Sequence, residues 1–134
     1  MQDVFFYGLA ARALNDTIML VHDNKLTRKQ YVMFALADMI TYVEVGAVFA
    51  RKASALTEAG RPEAEKIKAM SRIFSNDVAQ LVAEKILIIL MGSGIFDKQA
   101  TSHFLETVAY NELISSCHNI INDMDTVADI LFSR

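Results

Sequence analysis

Residues 56–66, LTEAGRPEAEK, hold the chain's single proline and one of its five glycines. They separate two long segments whose apolar residues recur every three or four positions, the spacing that sets side chains on one face of a helix. Gly60 suits the left-handed residue that ends a helix, and Pro62 suits the first turn of the next, where its missing N–H costs nothing. A connection this short makes the flanking helices antiparallel neighbours. The turn therefore fixes one corner of a helical bundle.

Working outward, the upstream segment from Thr27 to about Leu56 forms helix two. TRKQ, Thr27 to Gln30, has the form of a capping box, in which the threonine hydroxyl accepts a free backbone N–H and Gln30 reaches back to the cap. Before it, Phe6, Leu9, Ala13, Thr17 and Leu20 mark the buried face of helix one, which runs to Asp23 or Asn24. Downstream, Ile67, Met70, Phe74, Val78, Leu81 and Ile88 stripe helix three, opposite Glu63, Glu65, Lys66, Lys68 and Arg72. Its last turns, ILIILM at 86–91, are apolar on all sides and call for enclosure. Asp97 is placed to cap helix four, which occupies most of 98–132, with a possible break in NIINDMD at 119–125. Along it Tyr110, Ile114, Cys117, Ile121, Met124, Ala128 and Leu131 alternate four and three apart as a seam. The expected fold is all-α, an up-down-up-down antiparallel four-helix bundle filling residues 1–134 as one domain.

Composition agrees. The 134 residues are 53% hydrophobic and 22% charged, with a formal net charge of −3, and the 13 Lys and Arg are scattered. This excludes disorder and gives no footprint for nucleic acid. A lone cysteine allows no internal disulfide. The N-terminus lacks the basic region of a signal peptide. Residues 30–50, QYVMFALADMITYVEVGAVFA, approach a membrane span in apolarity, but Asp38 and Glu44 would be costly in hydrocarbon, about 3 kcal/mol for an Asp at its centre, so a buried soluble helix is expected. Helix two is nonetheless apolar over most of its circumference, which implies a partner surface. Helix one begins in mid-pattern at Val4, Phe5, Phe6 and Tyr7, as a C-terminal fragment of a longer chain would.

Chemistry-bearing residues are few. A di-metal carboxylate bundle needs Glu-x-x-His repeats, whereas the chain offers only the reversed His103-x-x-Glu106, so no metal site is expected. Cys117 and His118 are adjacent, about 100° apart on a helix, and cannot share a proton; Cys117 falls on the seam and reads as a buried thiol. His22 complements a helix C-terminus. Asp38 and Glu44, the most unusual polar residues, read as a narrow stripe pairing with Lys or Arg of neighbouring helices rather than as proton-transfer groups. MGSGIF, 91–96, matches no phosphate loop, having neither its lysine nor a preceding strand, and by spacing ends helix three.

Residues 35–96, from Leu36-Ala37-Asp38-Met39 through Arg51-Lys52-Ala53-Ser54 and Gly60-Arg61-Pro62 to Gly92-Ser93-Gly94, resemble in order and spacing the C-terminal helical domain of acyl-CoA dehydrogenases. The resemblance implies that a glycine segment at Gly92 and Gly94 would contact the flavin of a neighbouring subunit, although Met91-Gly92-Ser93-Gly94 lacks the family's paired glycine. The catalytic bundle's Arg-x-x-Phe-Gly is replaced here by NKLTRKQYVMF, with Arg28 misplaced, and its Tyr-Glu-Gly-Thr by Tyr110-Asn111-Glu112-Leu113. HDNKLTRKQY is more similar to the turn in the appended second bundle of very-long-chain-type enzymes, a divergent copy without catalytic residues. The resemblance thus implies no catalytic residues, no cofactor held by this fragment, FAD in the parent, and vestigial Gly92 and Gly94. It further implies partners in the rest of the parent and in a homo-oligomer, no nucleic acid, and a parent oxidising acyl-CoA. Location would be cytoplasmic in a bacterium or at the mitochondrial inner membrane in a eukaryote, although no cationic amphipathic segment supports membrane contact.

Overall fold

The computed structural model describes residues 2–133, and among them all regular structure is helical. Three long helices, α1 (Gln2–Asp23), α2 (Gln30–Glu58) and α3 (Ala64–Gly92), pack on one another, and the fourth position is filled by α4 (Lys98–Thr107), α5 (Tyr110–Ile114) and α6 (Ile120–Phe132). The bundle expected from the sequence is thus present, with its fourth member in pieces.

The face expected on helix one is the observed one: Phe6, Leu9, Ala13 and Thr17 are buried and Leu20 partly so. The buried Thr17 hydroxyl donates to the Ala13 carbonyl at 2.7 Å, so its burial leaves no unmet donor. The corner after α2 is a full Schellman motif, with Gly60 N–H donating to the Thr57 carbonyl and Arg61 N–H to that of Leu56, both at 3.1 Å. Gly60 takes the left-handed conformation, φ +64°, that the motif requires.

Several local expectations fail for identifiable reasons. Pro62 lies before α3 rather than in its first turn. It occupies the second position of a tight turn closed by Ala64 N–H on the Arg61 carbonyl, where its fixed φ serves equally well. The Thr27–Gln30 capping box does not form: Leu26 is buried and anchors a 3-10 turn over Leu26–Arg28, so α2 begins only at Gln30 with Lys29 at its cap. On α3 the buried residues are Ala69, Ser71, Ser75, Val78, Ala79, Val82, Ala83, Ile86, Ile89 and Leu90, while Ile88 turns outward. Since α1, α2 and the C-terminal segment all pack on α3, small side chains there let the helices approach closely. At the end of α3 the chain encloses Ile86, Ile89 and Leu90 but leaves Ile88 and Met91 exposed, so one side of the expected apolar end stays open.

The fourth helix departs furthest. Ala109 and Asn119 both adopt left-handed backbone, φ +57° and +63°, and each resets the helical phase. The break at Asn119 comes at the start of the expected segment, and the one at Ala109 was not anticipated. The seam is consequently absent: Ile121, Met124 and Leu131 are exposed, and Cys117 is an exposed thiol in a 3-10 turn, not a buried one. The segment is held on α3 by polar clips. Gln80 donates to the Ile114 carbonyl at 2.9 Å and contacts Ser116 at 3.2 Å, Ser116 donates to Asn76 at 3.1 Å, and Arg72 meets Asp123 at 2.9 Å.

Helix two is not buried in this chain. Val32, Ala35, Leu36, Met39, Gly46 and Ala53 face inward, whereas Tyr31, Met33, Phe34, Ile40, Tyr42, Val45 and Val48 remain exposed. By length and composition α2 and the Val4–Asp23 part of α1 could each span a bilayer, a test that core helices of soluble bundles also pass.

Candidate functional site

A groove of about 310 Å³ lies where the start of α2 meets the end of α3, walled by Tyr31, Val32, Ile88, Ile89 and Gly92, with Lys29 and Ser93 as its polar margin. Sequence reasoning located only Gly92. Tyr31 belongs here because Lys85, on α3, lies over its ring at 5.5 Å and also reaches Asp38 at 4.0 Å, bracing the two helices across the groove's edge. Lys29, Tyr31 and Lys85 carried no local signal, since exposed lysines and tyrosines on helices are common.

The glycines themselves are not a cradle within this chain. A Cβ at Gly92 would meet only Ile88 of its own helix, at 3.5 Å, and one at Gly94 would meet nothing within 4 Å. Gly94 has φ +73°, so its glycine is needed for the backbone that ends α3. Within this chain the space beside both glycines is open, and MGSGIF ends α3.

The other candidates do not converge on the groove. Glu112 is exposed and lines a separate depression with Glu106, Tyr110 and Asn111. Its segment is fastened at Ile114 to Gln80, which lies twelve residues before Gly92 on α3 and so about 18 Å along the axis. Arg28 lines yet another depression with His22, Lys25 and Thr27 at the α1–α2 corner. His22 ends α1 as expected, with Nδ1 3.4 Å from the Asp23 carboxylate. Asp38 pairs with Lys85 of a neighbouring helix, as its stripe position implied, and Glu44 is solvent-exposed. His103, Glu106 and His118 are exposed as well, and among the described residues no three His, Cys, Asp or Glu side chains gather as a metal site. Burial raises the proton affinity of the Asp77 carboxyl, and hydrogen bonds from its own backbone and from Arg61 lower that of Glu63; neither residue lines the groove.

A helical bundle whose motif order follows that of a dehydrogenase domain, but whose groove holds no carboxylate, defines a class of helical domain rather than a complete active site. Residues 4–118 match the family described as acyl-CoA dehydrogenase, C-terminal domain, and the chain belongs to that family. Relatives include the "Probable acyl-CoA dehydrogenase FadE25" of Mycobacterium tuberculosis strain H37Rv, 28% identical over 118 residues, and its Mycobacterium leprae counterpart, 26% identical over the same length. Each alignment covers 84% of this chain and 30% of the relative. The cyclohex-1-ene-1-carbonyl-CoA dehydrogenase of Syntrophus aciditrophicus is 27% identical over 101 residues, covering 75% of this chain and 24% of that protein. The chain thus spans less than a third of the curated relatives it matches, and no solved structure gives a significant match.

Proposed function

We propose that this chain is a non-catalytic helical domain of an acyl-CoA dehydrogenase, contributing packing and assembly to a parent that holds FAD elsewhere and oxidises acyl-CoA to trans-2-enoyl-CoA. The observation that carries this reading is that Tyr110-Asn111-Glu112-Leu113 stands where the catalytic bundle has Tyr-Glu-Gly-Thr, while no carboxylate lines the groove beside Gly92 among the described residues. Its contact with the rest of the parent runs through the end of α3, where the exposed Ile88, Met91 and Ile95 are left for other domains to cover.

The test is a titration of the purified chain with flavin adenine dinucleotide, followed by acyl-CoA and an electron-accepting dye. Flavin stays free and the dye unreduced if the proposal holds; stoichiometric yellow protein or dye reduction overturns it. A second reading, in which the chain supplies one wall of a flavin site shared with another subunit, is favoured by the position of Lys29 and Ser93 beside Gly92. Gly92→Val in the parent would then lower flavin content, whereas under the packing reading flavin content is unchanged.

A further inference from the structure

We propose that α6 is a hinged strap: it closes over the crossing of α1 and α3 in this structure and opens about Asn119 without unfolding the three long helices. The inference goes beyond the assignment as a packing domain and does not depend on it, since it rests on how the fourth position of the bundle is fastened.

The two halves of that position are held differently. Before the hinge, Leu113 is fully buried and Ser116 nearly so. Gln80 donates to the Ile114 carbonyl and Ser116 to the Asn76 side chain, so α5 and the turn after it are tied to α3 by packing and by hydrogen bonds. After the hinge, α6 has no buried residue among those described, and Ile121, Leu131 and Phe132 are 70%, 60% and 73% exposed. Its inner side is partly covered at Ile120, Val127 and Ala128. An isolated helix of 13 residues is marginal in water, so α6 owes its order to this thin contact and to the pair between Asp123 and Arg72. Such a segment opens far more often than a fully packed bundle does.

Between the halves the chain is built to bend. The helical ladder stops at Cys117 and resumes at Ile120. His118 is extended, ψ +126°, and Asn119 is left-handed, φ +63°, a conformation that asparagine tolerates better than most side chains. Two residues outside either helix suffice to absorb a rotation of α6. The Asp123 clip lies in the first turn, next to the hinge, while Ile130 at the far end shares a shallow depression with Pro62 and Lys66.

What the strap covers is specific. Ile120 and Asp123 of α6 face Phe6 of α1 and Arg72 and Ser75 of α3 across a space too narrow for water. Phe6 and Ser75 are both buried beneath it. Opening therefore wets an apolar ring and parts the Arg72 guanidinium from its carboxylate, a patch that the closed strap withholds from any other chain or domain.

The experiment is native-state thiol labelling of the full chain in a Cys117→Ser background, which removes the native thiol beside the hinge. Ser75→Cys reports the space beneath the strap, and Val78→Cys, fully buried on α3 against Gly46 of α2, reports global unfolding. Circular dichroism confirms that each variant is folded. Ser75→Cys reacts about a hundredfold faster than Val78→Cys. Adding Asn119→Val, a β-branched side chain that left-handed backbone excludes, speeds Ser75→Cys about tenfold further, quickens amide exchange in α6 by the same factor, and leaves Val78→Cys unchanged. Asn119→Gly, which keeps the left-handed hinge, leaves the Ser75→Cys rate within about threefold. If Ser75→Cys does not fold, Ser116→Cys, which lines the same space from the anchored side, takes its place. Labelling at Ser75 as slow as at Val78, or acceleration of both by Asn119→Val, overturns the proposal, because α6 would then open only with the whole bundle. Faster exchange in α6 with no change at Ser75 also overturns it, since α6 would fray without uncovering the crossing. None of these readouts involves flavin, so failure here leaves the packing assignment standing.

Discussion

Gly46 on α2 lies directly against the ring of Tyr7 on α1: a Cβ built on the glycine would be 2.6 Å from Cε1, well inside van der Waals contact. The ring passes over the glycine so that its hydroxyl can donate to the Ser71 carbonyl of α3 at 2.8 Å. One buried side chain therefore joins all three long helices. The arrangement needs the absence of a side chain at position 46, since the obstructing atoms belong to a ring that is hydrogen-bonded at its far end and buried. Glycine inside a helix ordinarily costs about 1 kcal/mol relative to alanine, so Gly46→Ala at an open position would stabilise. Here the overlap outweighs that gain, and Gly46→Ala lowers unfolding free energy by about 1–3 kcal/mol in urea denaturation. A stabilised variant would show that the ring can move aside freely.

Tyr7→Phe keeps the ring and removes the hydroxyl, so it isolates the hydrogen bond from the steric contact. A loss of about 0.5–1.5 kcal/mol is expected, the ordinary net worth of a buried bond. Because the hydroxyl helps hold the ring over Gly46, combining it with Gly46→Ala should give a loss smaller than the sum of the two. Additive losses in that double-mutant cycle would mean that packing alone holds the ring against the glycine.

Arg72 and Asp123 meet at 2.9 Å with side chains only 31% and 18% exposed, and this pair fastens α6, a helix with no fully buried residue among those described, to α3. Partial burial makes the bond stronger than an open surface pair, while little apolar packing backs it up. Asp123→Asn is expected to speed amide exchange throughout α6 by about tenfold and leave α1 to α3 protected. Uniform acceleration across the bundle would instead show that α6 unfolds only with the whole.

What could be read from the sequence divides along physical lines. The α1 face was legible because Phe6, Leu9, Ala13 and Thr17 repeat without interruption, and the Gly60 corner because its motif is complete within a few residues. The α3 face was less so: Ser71 and Ser75 look like solvent positions, yet both are buried, Ser75 by donating to the Arg72 carbonyl of its own helix and Ser71 beside the Tyr7 hydroxyl. No local pattern announces Gly46, whose partner lies 39 residues away in the chain. The seam from Tyr110 to Leu131 was misleading because periodicity assumes one continuous helix, and left-handed residues at Ala109 and Asn119 break the phase. Of the groove, Gly92 could be found as a motif, but Lys29 and Tyr31 join it only through the α2–α3 crossing.

Left-handed backbone gives a further prediction at two exposed helix ends. Lys25 ends α1 with φ +57°, where an L side chain is strained by about 1–2 kcal/mol, while Gly60 meets the same need at φ +64° without strain. Lys25→Gly should therefore raise stability by several tenths to about 1 kcal/mol after the added freedom of the unfolded chain is subtracted. Gly60→Ala should lower it by about 1 kcal/mol. Both shifts are read as changes of midpoint at constant slope in denaturant unfolding; equal effects of the same sign would contradict the backbone explanation.

Asp77 is a carboxylate whose proton affinity is raised by desolvation alone, so the folded state binds its proton more tightly than the unfolded chain does. By linkage, stability from this group is greatest below the unfolded carboxylate pKa and is lost as pH rises through the folded value, after which it stays lower at neutral pH. Asp77→Asn removes the charge that burial disfavours. It should raise the unfolding midpoint at pH 7 and leave it nearly unchanged at pH 3, where the wild-type carboxyl is already largely protonated in the fold. Comparing thermal unfolding of the two proteins at both pH values checks this, and a midpoint gain of equal size at both would trace the effect to packing or helix propensity instead of desolvated charge.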